Sequence, residues 1–424
     1  MRLTAALVIL MTIPLGKAVL AQGVSKGTSQ SVTVPMMLDQ GRVLIDVTLL
    51  LPDGTSERVR AWVDNGNPDL YMSVRVASLM GLNLNCDGPI CSGTPVSRNA
   101  SPEIAIGEMR IPLTQREIKV PVGAAGLAPG MNAEINIPSS VLRNYDVLIN
   151  FPERKFTIGL PGRVKFDGAK SKMVVSSSDG LIRIPGRIEN KNYDLALDLG
   201  SSINSLSHEL FDKLSNSHPD WPHMTGAVGP FNTGEREDEP KWKLMRVDRV
   251  QCGPLFLTEV AVADRPPDPA KVGTSSFASH PGISAAGSLS SEALLNYRVG
   301  LDYAHSTVYF DIGRTVRFPD FDVVGLILRP ENDAAFTVVG IADFDGKPSV
   351  AGVQVGDRLV AVGDIPFSDS SLGQVWSLLE GSPGQERKLT IVRAGKQFTV
   401  GATVQHFLGD APRGDDAKRK AKQN

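Results

Sequence analysis

Two stretches of this chain alternate apolar and polar positions in the same order. Val43 to Leu51 and Arg58 to Val63 flank Pro52-Asp53-Gly54, which predicts a two-stranded hairpin. Leu181 to Ile188 and Tyr193 to Leu197 repeat the arrangement around Asn190-Lys191-Asn192. In both copies the second strand runs into an Asp-x-Gly turn, Asp64-Asn65-Gly66 and Asp198-Leu199-Gly200, followed by a short helical stretch, Val74 to Met80 or His208 to Leu214.

Further anchors keep the same order, so the unit is duplicated. Ile106-Gly107-Glu108-Met109 corresponds to Cys252-Gly253-Pro254-Leu255, which makes Cys252 a small buried apolar position. Ser139 to Val147 corresponds to Ser291 to Val299 at an offset of 152, and Asn150-Phe151 faces Asp302-Tyr303 at the same offset. From about Phe318 the pattern changes. Strands at Thr337 to Ile341, Lys388 to Val392 and Gln397 to Thr403, with a helix from Leu372 to Leu379, predict a separate compact unit. The expected organisation is a leader over 1–21, two lobes over 22–165 and 166–315, a third unit over 318–406 and a polar basic tail over 407–424.

The leader has Arg2, an apolar run from Ala5 to Leu15 and a small-residue end at Ala18-Val19-Leu20-Ala21, the order of an export signal. The run is shorter than the ~20 residues of a spanning helix, so a periplasmic or secreted protein with no stable membrane anchor is expected. Losing 1–21 removes Arg2 and Lys17, leaving 42 basic against 46 acidic residues, which gives no reason to expect a nucleic-acid partner. Cys86-Asp87-Gly88-Pro89-Ile90-Cys91 has a turn-forming centre that suits a small loop disulfide in an oxidising compartment. A metal would need a second Cys or His pair at ligand spacing, so no metal or other cofactor is expected.

Two carboxylates held close together cannot both ionise easily, so they share a proton and can serve as base and acid toward one water. The stretches Ala61-Trp62-Val63-Asp64-Asn65-Gly66-Asn67 and Leu195-Ala196-Leu197-Asp198-Leu199-Gly200-Ser201-Ser202 resemble the active-site turns of the pepsin and retropepsin class of aspartic peptidases. The resemblance covers roughly 35–315. It implies a mainly β, two-lobed barrel duplication, a polypeptide substrate, Asp64 and Asp198 as the catalytic pair, and Gly66, Asn65, Gly200, Leu199 and Ser201 as the turns that carry it. It also implies hairpin flaps, for which Ser92 to Ser101 and Gly226 to Gly234 are the candidates. The family's Thr or Ser after each Asp, whose hydroxyl bonds across to the other lobe, is replaced here. Asn65 offers an amide donor and acceptor on a longer side chain; Leu199 offers neither. The alternative function is therefore a catalytically impaired fold that binds peptide or scaffolds partners.

Ala351-Gly352-Val353-Gln354-Val355-Gly356-Asp357-Arg358-Leu359-Val360-Ala361-Val362 and Leu389 to Lys396 resemble a bacterial PDZ domain. That resemblance implies a peptide-binding loop at Gly325-Leu326-Ile327-Leu328, where Ile327 replaces a usual Gly. A serine peptidase is not expected, because Gly282-Ile283-Ser284-Ala285-Ala286 lacks the last Gly of a nucleophile elbow and the six histidines show no matching context.

Overall fold

Strands make up most of the ordered elements, and the long ones bury alternate residues. In the computed structural model, residues 30–95, 102–114, 117–122, 127–128, 130–264, 285–312, 321–368 and 370–409 are described. The expected leader, residues 96–101 of the first flap candidate and the basic tail from 410 lie outside them.

The two copies fold alike. Arg42–Leu50 pairs antiparallel with Ser56–Asp64 in the first lobe, and Ile182–Ile188 with Lys191–Asp198 in the second. Against the Asp-bearing strand lies a parallel one, Ile135–Pro138 with Pro138 opposite Asp64, and Gly287–Ser290 with Ser290 opposite Asp198. Each parallel strand enters a short helical turn, Ser139–Leu142 or Glu292–Leu294, and then a hairpin. The first helix of each copy is Val74–Leu79 or His208–Ser217, capped by the Ser73 or Ser207 hydroxyl, which accepts an amide three residues on. The second hairpin turns one residue earlier than its Asn-Lys-Asn run suggests. Glu189 adopts the left-handed region at φ +54°, and Lys191 and Asn192 already belong to the strand.

The closing hairpins join the copies in one six-stranded sheet, in which Asp146–Asn150 pairs antiparallel with Tyr297–Asp302. Asp146 faces Asp302 and Asn150 faces Arg298. Moving the first pair by the repeat offset, 146 + 152 and 302 − 152, gives the second, so register and duplication express one approximate two-fold. Ser31–Pro35 and Ala169–Lys172 complete the sheet at equivalent edges. One continuous core runs through both lobes, from Val43 and Ile45 through Phe151 and Phe156 to Val299 and Phe310.

Cys86 and Cys91 form a disulfide across the Asp-Gly-Pro turn, and Cys252 is a free thiol, fully buried, whose pKa burial pushes up to about 12. Titration of the denatured, unreduced protein should count one thiol, rising to three on reduction. Replacing both Cys86 and Cys91 by Ser should lower stability by about 2 kcal/mol in chemical denaturation, the chain-entropy value for so short a loop.

The third unit has a five-strand path with Leu326–Pro330 at one edge, then Phe336–Ile341, Arg358–Val362, Glu386–Arg393 and Lys396–Thr403. Its helix Leu372–Leu379 begins in a capping box between Ser371 and Gln374. Its core is continuous with Ala227, Val228, Phe231 and Trp242 of the second lobe.

Candidate active site

Each Asp-x-Gly turn is locked against the other lobe. Asp64 Oδ1 accepts from the Gly66 amide (3.3 Å) and Asp198 Oδ1 from the Gly200 amide (3.1 Å). A Cβ on Gly66 would fall 2.2 Å from Asp198 Cγ, and one on Gly200 would fall 2.6 Å from Asp64 Oδ1. Only glycine permits that approach at either position. The two carboxylates therefore meet at the lobe interface, 134 residues apart in sequence and related by the approximate two-fold.

Asn65 bridges the two lobes from one side. Its Nδ2 donates to the Leu197 carbonyl (2.7 Å) and its Oδ1 accepts from the Leu199 amide (2.7 Å), so one buried carboxamide spans the interface twice. Leu199 contributes its backbone to this clasp and sends its side chain into the apolar core, where it is 1% exposed. Trp62 adds a third link, its indole N–H donating to the Gly200 carbonyl (2.9 Å). Ser201 holds the second turn, its Oγ accepting from the Ile203 amide (3.1 Å) and its carbonyl accepting from Ser291 Oγ (2.6 Å).

The environments of the two acids differ. Asp64 is 2% exposed, and its Oδ2 has no hydrogen-bond partner among the described residues. Burial and then the neighbouring Asp198 charge hold its pKa well above the usual aspartate value, and Glu235 adds to the effect. Asp198 is partly exposed toward the cleft. Arg42, Trp62, Asn67, Thr233 and Glu235 line the cleft with the pair, leaving about 80 Å3 of open space. That space holds water beside the two acids. Arg42, buried and 3.7 Å from Glu235, was not distinguishable in the sequence, since a lone Arg at a strand start carries no pattern.

The second flap candidate does not stand free over the cleft. Gly226 to Gly234 turns toward the third unit, with Phe231 edge-on to Phe321 at 5.2 Å and Asn232 fully buried. Gly325, Leu326, Ile327 and Leu328 are all buried there. A Cβ on Gly325 would fall 2.2 Å from Phe407 Cζ, and the Leu326 amide donates to the Val324 carbonyl (2.7 Å).

No curated protein sequence matches the chain. Among solved structures it is similar to an aspartic proteinase from Irpex lacteus, with a TM-score of 0.41 and 11% sequence identity over 67% of this chain and 98% of that one. Residues 349–393 match the PDZ domain family. The strand order and capped helix around that match complete the unit, so a PDZ domain follows a duplicated, mainly β pair of lobes.

Proposed function

We propose that the protein is an exported aspartic-type endopeptidase whose Asp64 and Asp198 hydrolyse peptide bonds with one shared proton, and whose PDZ domain binds polypeptide. The observation that carries this reading is the reciprocal packing of each Asp-x-Gly turn on the other lobe's carboxylate. Asp64, the more buried acid, holds the proton and gives it to the scissile carbonyl oxygen. Asp198, which faces the cleft, takes a proton from the attacking water. Water oxygen bonds to the carbonyl carbon to form a gem-diol. Asp198 then gives its proton to the amide nitrogen as the C–N bond breaks, and one gem-diol hydroxyl returns its proton to Asp64, which leaves a carboxylic acid and an amine and restores the pair. No metal or cofactor takes part in this scheme.

The rival reading, a peptide-binding scaffold, rests on the loss of the hydroxyl at positions 65 and 199. The two hydrogen bonds of Asn65 answer that loss and favour the enzyme. Hydrolysis of a peptide library by the protein lacking 1–21 should follow a bell-shaped pH profile, because the pair works only with one proton between its members. Its alkaline limb should lie above the ordinary carboxylate range, because the Asp64 pKa is raised. A statine-type inhibitor should block turnover. Hydrolysis that ignores the inhibitor and shows no such limb would refute the assignment.

A further inference from the structure

A PDZ groove lies between an edge strand and a helix, and it ordinarily receives a peptide as an added strand. Here the edge strand is Leu326–Pro330 and the helix is Leu372–Leu379, and the space between them is already filled by the chain's own second lobe. Asn232 sits at its centre with every polar position of its carboxamide in use. Oδ1 accepts from the Leu328 amide (2.9 Å) and from Trp376 Nε1 (3.2 Å), while Nδ2 donates to the Leu328 carbonyl (2.9 Å) and to Glu239 Oε2 (2.6 Å). The side chain thus pairs with both main-chain groups of Leu328, as a peptide unit of an added strand would. Gly226 and Gly234 lie at either side, where a Cβ would come within 2.8 Å of Ile327 Cδ1 and 2.4 Å of Pro330 Cδ.

The same loop forms part of the cleft wall. Thr233 and Glu235 line the space beside Asp64 and Asp198, and the buried Glu239 gathers the turn by accepting from Thr233 Oγ1 and from the amides of Gly234, Glu235 and Arg236. The first lobe closes on it from the other side. Gln40 donates to the Gly229 and Asn232 carbonyls, and the neighbouring Asp39 lies against the first turn of the PDZ helix, where a Cβ on Gly373 would fall 1.7 Å from its Oδ1. The Leu372 amide donates to the first-lobe Gly130 carbonyl (2.8 Å). The PDZ domain therefore touches both lobes and the loop between them.

We propose that residues 226–240 are an internal ligand of the PDZ groove that latches the cleft shut. The groove accepts an external partner by exchange: an internal polypeptide segment that presents an apolar residue followed by Asn, not a free C-terminus. The preference for an internal segment follows from the Leu326 amide, which is already given to Val324, and from Phe407, which covers Gly325. Exchange frees Thr233 and Glu235 and widens the cleft beyond its 80 Å3. The cleft's importance rests on the peptidase reading, but the latch is measurable without turnover.

The test uses the full chain and a fluorescein-labelled synthetic peptide of residues 226–240, read by anisotropy, with amide hydrogen exchange on the unliganded proteins. Asn232→Ala should bind the peptide at least tenfold more tightly than the unaltered chain and exchange faster over 326–330 and 233–236. Gln40→Ala, which loosens the loop from the first lobe and leaves the groove intact, should give a smaller gain in both, and it decides the matter if Asn232→Ala does not fold. Equal binding by all three proteins with unchanged exchange would overturn the latch. If the binding and exchange changes appear while no protein hydrolyses peptide, the latch stands and the peptidase reading falls.

Discussion

Asp198→Asn is expected to lower peptide hydrolysis by about 1,000-fold or more while leaving the fold intact. An amide in that position cannot take the proton from water, and general acid–base groups contribute roughly 100- to 10,000-fold. Asp64→Asn should cost as much, because the reaction needs both ends of one proton's path and the losses are not additive in the double variant. Asp64→Asn also changes stability. Asp64 is buried, its Oδ2 has no partner among the described residues, and its pKa is raised, so the native state holds its proton more tightly than the unfolded chain does. Its contribution is fully present below the ordinary aspartate value of 3.8 and is lost as the pH rises from there through the raised native value. Asp64→Asn removes that loss. Its Tm should exceed that of the unaltered protein at pH 7 and match it near pH 3. Retained hydrolysis in Asp198→Asn, with a native thermal transition, would remove the pair from the mechanism.

What the sequence made legible was local or repeated. The hairpins, the helices beginning at Val74, His208 and Leu372, and the 152-residue offset follow from apolar patterning, turn residues and a two-fold that requires both copies to present matching edges. The Asp pair was legible for the same reason, since each turn is punctuated by a glycine whose necessity is steric. The partners of Asn65 were not, because they are backbone groups, Leu197 carbonyl and Leu199 amide, and any residue carries those. Comparing positions 65 and 199 by side chain alone therefore read Leu199 as a lost hydrogen bond. In the structure its amide is half of the clasp. The docking of 226–240 was hidden by distance: Asn232 reaches Leu328 across 96 residues and Trp376 across 144. A Gly- and Pro-rich loop gives no periodicity to announce such a contact. Its order in the copy thus named the loop a flap candidate, while the structure docks it on the third unit.

Asn65→Leu tests how much of the site depends on the clasp. The replacement keeps the branch at Cγ but is bulkier, and it removes both polar atoms, leaving the Leu197 carbonyl and the Leu199 amide buried without their present partners. Each unsatisfied buried group costs ~1–3 kcal/mol, so a loss of about 2–6 kcal/mol in denaturant unfolding is expected. Trp62 still links the lobes through Gly200, and the shared six-stranded sheet is unaffected, so the chain should remain folded. Activity should fall further than stability suggests. The two Asp turns would no longer be held in register, and a displacement of about 1 Å between catalytic groups is worth roughly 100-fold in rate. Introducing Thr at 199 should not compensate. That side chain points into an apolar core, where a hydroxyl without a partner adds its own cost of ~1–3 kcal/mol. Asn65→Leu with undiminished hydrolysis would mean that the lobes are registered by the core alone; restoration of activity by Leu199→Thr in that background would mean that the clasp is interchangeable between the two sides.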